Sequence, residues 1–211
     1  MNATLTSPLL APSSNDAPLI VSIVTHSPNG HTAAMGKAVA LGASAVEGVI
    51  VHEHRILGSD IHEGRWLNEA ILADLDASHA IIIGSPTFMG CVSSQLKSFM
   101  DTTSERYLHR RWVDKVGAAF TVSGLPAGDK GNMLATCATF SLQHGMIWVG
   151  VAESPVSGHG INRLGFFTGA AGQALFEPPT ETPNAEDRLT ATCLGRRVAE
   201  VVVRLYGSKS H

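Results

Sequence analysis

Three short stretches of this chain carry residue types that could do chemistry together. The first, His26-Ser27-Pro28-Asn29-Gly30-His31-Thr32, places hydroxyls, an amide and a glycine between an apolar run, 19–25, and a helix-forming segment, 33–45. A loop at a helix start offers unpaired backbone N–H groups and the positive end of the helix dipole to an anion, so a phosphate fits here. An ordinary helix cap by Ser27 or Asn29 fits the same residues. Neither a dinucleotide fingerprint nor a nucleoside-triphosphate loop is spelled out. The second stretch is Ser85-Pro86-Thr87-Phe88-Met89-Gly90-Cys91, where a hydroxyl and two apolar side chains, one flat and one polarisable, suit a planar heterocycle. Plain turn packing is the alternative. The third, Ser123-Gly124-Leu125-Pro126-Ala127-Gly128-Asp129-Lys130-Gly131, is long and glycine-bearing, the kind of loop that carries function on a rigid scaffold.

Each stretch follows an apolar run, and the pattern of the whole chain says why. Runs at 19–25, 48–54, 80–84, 116–123 and 146–151 read as strands, separated by helical patterns at 33–45, 66–75, 92–103 and 133–143. A last helix, opened by Thr182 and Pro183, carries the stripe Leu194, Val198, Val201, Val202 and Leu205. Five strands alternating with helices predict an α/β, flavodoxin-like doubly wound five-stranded parallel sheet, order 2-1-3-4-5, with helices on both faces. In such sheets ligands bind beyond the carboxyl ends of the strands, so the three loops converge on one crevice. A mononucleotide with a flat ring system matches it. A receiver domain would need an aspartate where Gly84-Ser85-Pro86-Thr87 stands, and no nucleophile elbow supports a serine hydrolase.

The remaining signals bound the answer. The chain has 211 residues, 44% hydrophobic and 16% charged, with a formal net charge of −3, which gives no electrostatic reason to expect nucleic acid or a membrane surface. Cys91, Cys137 and Cys193 are three and widely spaced, fitting reduced thiols in a cytoplasm. Residues 1–18, rich in proline and serine and lacking a positive start, read as a flexible tail, 19–206 as one domain and 207–211 as a short C-terminal tail. His52 and His54 share a strand face and, with His62, invite a metal reading. Spacing fixes no third ligand, and a solvated strand end with no metal is the expectation. Arg110, Arg111 and Lys115 either meet a pyridine nucleotide's phosphates or form a solvated connection. The segment 152–183 is irregular, and its Phe166, Phe167 and Phe176 need cover.

From 19 to 205 the chain resembles the flavodoxin-like NAD(P)H:quinone oxidoreductases of the WrbA type. The resemblance rests on Asn29-Gly30-His31-Thr32 with the helix after it, on Gly84 to Gly90 with Gln95-Leu96-Lys97-Ser98-Phe99-Met100-Asp101, and on Ser123-Gly124 through Gly128 with Gln143-His144-Gly145-Met146. It implies flavin mononucleotide (FMN), with phosphate at Ser27 to Thr32 and ring between Pro86, Thr87, Phe88, Met89 and Gly90 on one side and Ser123, Gly124, Leu125, Pro126 and Ala127 on the other. It implies NADH or NADPH as hydride donor and a quinone-like acceptor. It also implies that His144 approaches flavin or substrate, that Tyr107 stands where the family usually has a tryptophan, and that the chain forms a homo-oligomer, dimer or tetramer, whose sites neighbours complete. The sequence departs from the family's pattern at Asn29, at Leu125-Pro126-Ala127, in 55–68 and in 165–169. A flavodoxin-like electron carrier, and a reductase of nitro, azo or ferric compounds or of free flavin, remain alternatives.

Overall fold

The computed structural model describes residues 18–207; except for Pro18 and Gly207, the two tails expected from the sequence lie outside the described residues. In chain order the elements are β1 (Leu19–Thr25), α1 (His31–Ser44), β2 (Val49–Arg55), β3 (Ile61–His62), β4 (Arg65–Trp66), α2 (Glu69–Ala77), β5 (Ala80–Phe88), β6 (Cys91–Val92), α3 (Ser94–Thr102), α4 (Ser104–Leu108), β7 (Val116–Ser123), α5 (Lys130–Gln143), β8 (Ile147–Trp148), β9 (Ala170–Gln173) and α6 (Ala185–Tyr206). The main sheet runs β2-β1-β5-β7-β8, parallel throughout, which is the expected 2-1-3-4-5 order.

Strand alternation splits the apolar residues into two cores. Val21, Ile23, Ile82, Ala118 and Phe120 face α1 and α6, while Val24, Ile81, Ile83 and Ala119 face α2, α3 and α5. Because both faces are covered, Ile81, Ile82 and Ile83 are all fully buried, each contributing about 1.5–3 kcal/mol. The α1–α6 packing is close: Gly42 and Gly195 lie at the crossing, and a Cβ on either would fall inside the backbone of the opposite helix, at Thr192 O and Val39 O. Register aligns Thr25 with Arg55 and Gly84, and Gly84 with Phe120, so the loops after β1, β5 and β7 leave one edge of the sheet.

Three elements differ from the sequence reading. The fifth strand is split. β8 pairs with the start of β7 at Val116 and Gly117, β9 pairs with its end from Phe120 to Ser123, and the chain between makes an excursion over 149–169. Val151 N donates to Phe167 O and Trp148 Nε1 to Thr168 O, tying the excursion's two ends together. The expected helix from 66 starts at Glu69 under an Asn68 cap, because Trp66 belongs to the β3–β4 hairpin and is buried edge-on against Phe99. The last helix is capped by Asn184, whose side chain accepts from Asp187 N, and not by Thr182.

Candidate functional site

The three loops meet in a crevice of about 230 Å³ at the carboxyl edge of the sheet. From the first loop Ser27, Pro28, Asn29, His31 and Thr32 line it. Gly30 turns the chain into α1 at φ +89° and gives no side-chain cap. Ser27 Oγ accepts from Ala33 N at 3.0 Å. The N–H groups of Asn29, Gly30, His31 and Thr32 find no acceptor among the described residues. A run of free donors at a helix start is an anion cradle. His31 Nε2 donates to Glu177 O at 2.8 Å, which draws the segment before α6 over the loop.

From the second loop Pro86, Thr87 and Phe88 line the crevice, with Thr87 Oγ1 bonded to Thr121 Oγ1 at 2.8 Å. This stretch is a hairpin: Thr87 and Phe88 pair with β6, and Met89 (φ +47°) and Gly90 (φ +79°) form the two-residue turn. Both central residues having positive φ lifts the Met89 side chain fully into solvent at the rim, beside half-exposed Phe88.

Ser123 and Gly124 line the crevice from the third loop, whereas Leu125, Pro126, Ala127 and Gly128 form its outer arc. The carbonyls of this loop are tied back. Lys130 Nζ, fully buried, donates to Leu125 O at 2.5 Å and Pro126 O at 3.2 Å; Gln173 Nε2 donates to Gly124 O and Ser123 Oγ to Gly128 O. Anchoring these carbonyls fixes the shape of the loop where Ser123 and Gly124 meet the crevice. Burial pulls the Lys130 pKa down to about 8, against the pull of Asp187. Sequence reading missed Lys130, Gln173 and the lining residues Val122, Ala174 and Leu175. Only proximity in the fold connects the last two to the loops.

His144 and Tyr107 stand elsewhere within one chain. His144 ends α5 beside the start of β8, next to Val116, while the crevice opens at Ser123; eight β7 residues separate them by about 23 Å. The two residues line a second groove, about 460 Å³, between α3–α4 and α5. Here the His144 ring lies 4.5 Å from Trp112 and 4.7 Å from Phe140, centroid to centroid. Thr103 Oγ1 gives its one proton to Met100 O at 2.7 Å, so His144 Nε2–H donates to Thr103 at 3.0 Å and Nδ1 keeps a buried lone pair with no partner. The basic cluster lies at this same edge. Arg110 donates to Gln143 O, Arg111 pairs with Asp76, and Lys115 is wholly buried, donating to the carbonyls of Asp76 and Ser78, so Lys115 is no solvated phosphate ligand.

Burial first, and the Arg110 charge second, push the His144 pKa down to about 4, and burial likewise lowers His26, His54 and His79. The unfolded chain, titrating near 6.5, therefore takes up these protons before the folded one does. Stability is complete above about pH 6.5 and drains as pH falls toward 4, by on the order of 3 kcal/mol for His144 alone. Thermal melts from pH 7.5 to 4.5 should show a steadily falling Tm, flattened by His144→Gln; a Tm constant until carboxylates titrate would sink this account.

A parallel α/β sheet whose first loop is an anion cradle and whose next two loops wall a crevice at the same edge defines a flavodoxin-like, mononucleotide-binding protein. Residues 23–159 match the model of the NADPH-dependent FMN reductase family. The chain is 34% identical over 189 residues to flavodoxin FldP of Pseudomonas aeruginosa, covering 87% of this chain and 97% of that one. It is 33% identical to an NAD(P)H dehydrogenase (quinone) of Archaeoglobus fulgidus, again over 87% and 97%. A solved WrbA-like flavodoxin from Agrobacterium tumefaciens superposes with a TM-score of 0.69 at 32% identity, covering 89% and 99%. The chain belongs to the NADPH-dependent FMN reductase family, on its WrbA-like, flavodoxin-fold branch. Among the described residues no helix is long and apolar enough to cross a membrane.

Proposed function

We propose that this chain is an FMN-dependent oxidoreductase that passes two electrons from NADH or NADPH to quinones. The observation that carries the reading is the crevice itself, with free N–H donors on one wall and a third loop whose carbonyls are anchored away from it. Family membership and the quinone-reductase relatives support it. Bound FMN supplies the hydride and electron chemistry. The protein's part is to hold and shield. Ser27 and Thr32, with the N–H groups of 29–32, would hold the FMN phosphate, Thr87, Phe88 and Met89 its ring system, and N–H groups of the loop from Ser123 to Gly128 would offset the negative charge it gains on reduction. The crevice, at about 230 Å³, is small beside the usual range of ligand pockets, about 300–1,000 Å³, and its open rim at Phe88 and Met89 is where nicotinamide and then quinone would approach.

Tyr107 donates to the acceptor oxygen from a neighbouring copy of the chain, with His144 packed edge-on behind its ring, since within one chain the two sit at the opposite edge of the sheet. The working form in this reading is therefore a homo-oligomer, acting in the cytoplasm. Purified protein should be yellow or take up one FMN per chain, and should oxidise NADH or NADPH rapidly only when benzoquinone is present. A colourless protein that refuses FMN ends the proposal. One that takes up FMN yet barely oxidises either nicotinamide is an electron carrier, as the name of the Pseudomonas relative would have it.

A further inference from the structure

The exposed edge of the sheet gathers three polar atoms that neither the fold nor the flavin site uses. β2 is the outermost strand, and His52 and His54, two residues apart, put both imidazoles on the same face. α2 crosses that face and brings in Asp74, twenty positions further along the chain. His54 Nε2 lies 3.8 Å and His52 Nδ1 3.9 Å from Asp74 Oδ2, and all three atoms lie within 4.8 Å of one another. His62, the other histidine of the sequence reading, sits exposed on β3 and takes no part.

These separations are too long for hydrogen bonds. They suit something between the atoms. His54 is only 10% exposed at its side chain, and its Nε2 is sealed from solvent without a partner, a state that costs about 1–3 kcal/mol if left alone. A point equidistant from the three atoms is at most about 2.5 Å from each, so a contraction of about 0.4 Å brings them to zinc-ligand lengths. Two imidazole nitrogens and one carboxylate oxygen are the donor set of Zn²⁺, Ni²⁺, Co²⁺ or Cu²⁺; Mg²⁺ and Ca²⁺ want oxygen only. Half-exposed His52 and Asp74 leave a way in and an open fourth position for water.

We propose that His52, His54 and Asp74 form a site for one divalent transition-metal ion, Zn²⁺ in the first place, which clasps edge strand β2 to α2. The site is independent of the flavin reading. An ion held by both elements favours the folded state over the unfolded one.

The test uses the full chain, free of any histidine tag, as purified and then stripped with EDTA. Calorimetric titration with ZnCl₂ should give one site per chain at micromolar affinity or better, and saturating Zn²⁺ should raise Tm by about 5 °C or more. MgCl₂ should do neither. CoCl₂ should develop the intense visible bands of a tetrahedral ion. His54→Gln, His52→Gln and Asp74→Asn should each weaken Zn²⁺ at least tenfold, and the double change H52Q/H54Q should abolish both the site and the Tm shift while leaving FMN uptake intact. Equal Zn²⁺ affinity in wild type and H52Q/H54Q, or no binding below millimolar, overturns the proposal. Circular dichroism of each variant confirms that the fold is retained.

Discussion

Lys130→Met weakens FMN binding by 10- to 100-fold while leaving the melting temperature of the flavin-free protein nearly unchanged. The affinity loss follows from the two hydrogen bonds that Lys130 makes to Leu125 O and Pro126 O. Bonds from a charged donor contribute about 1.5–3 kcal/mol each, and the freed carbonyls, on an exposed arc, recover part of that from water. A net 1.4–2.8 kcal/mol is one to two decades in Kd. Stability hardly falls, because removing the buried amine, whose pKa burial has drawn down to about 8, relieves a desolvation cost that offsets the two lost bonds. Asp187 is not stranded by the change, since Arg163 and Gln173 N still hold it. Titration of the flavin-free variant by quenching of FMN fluorescence, with Lys97→Met on exposed α3 as control, checks the split. Unaltered affinity would mean that the lysine does not hold the loop.

Gly195→Ala lowers stability by roughly 3 kcal/mol or more, a drop of about 6–12 °C in Tm for a chain of this size. The new methyl has nowhere to go. It lands on the carbonyl oxygen of Val39, in the backbone of α1, and a main chain cannot swing aside as a side-chain tip can. Helix α1 must therefore slide or tilt. Since its first turn carries the anion cradle, FMN affinity should fall along with Tm, by a mechanism separate from that of Lys130. Gly58→Ala is the contrasting case, because an added Cβ there meets nothing within 4 Å. Differential scanning calorimetry of the two variants settles the matter, and equal Tm values would refute the close crossing.

What the sequence reveals of this molecule follows from how local each signal is. The buried strands announce themselves as unbroken apolar runs such as Ala80-Ile81-Ile82-Ile83, and the first loop is legible because its donors are the backbone N–H groups of four consecutive residues, 29–32. The split last strand is not. Ala170-Ala171-Gly172-Gln173 has no β-branched or aromatic residue, and it is a strand only because Phe120 to Ser123 lie beside it. Lys130 reads as one more polar residue of a glycine-bearing loop until its amine is seen turned inward. His144 sits in a recognisable motif, yet where α5 ends decides which edge of the sheet it serves. Asp74 joins His52 and His54 only because α2 folds back across β2.

The chain leaves the sheet after Trp148 and returns at Ala170, and bonds from Val151 to Phe167 and from Trp148 to Thr168 hold both ends of the excursion shut before it begins. Val149, Val151, Asn162, Arg163 and Phe166 pack or bond back onto the domain, but the exposed tip at 155–159 does not, and since closure entropy rises only slowly with length that tip can be lengthened or rewritten with little penalty. The fold thus carries a ready-made socket, into which a foreign peptide can be spliced without disturbing the strands that frame it.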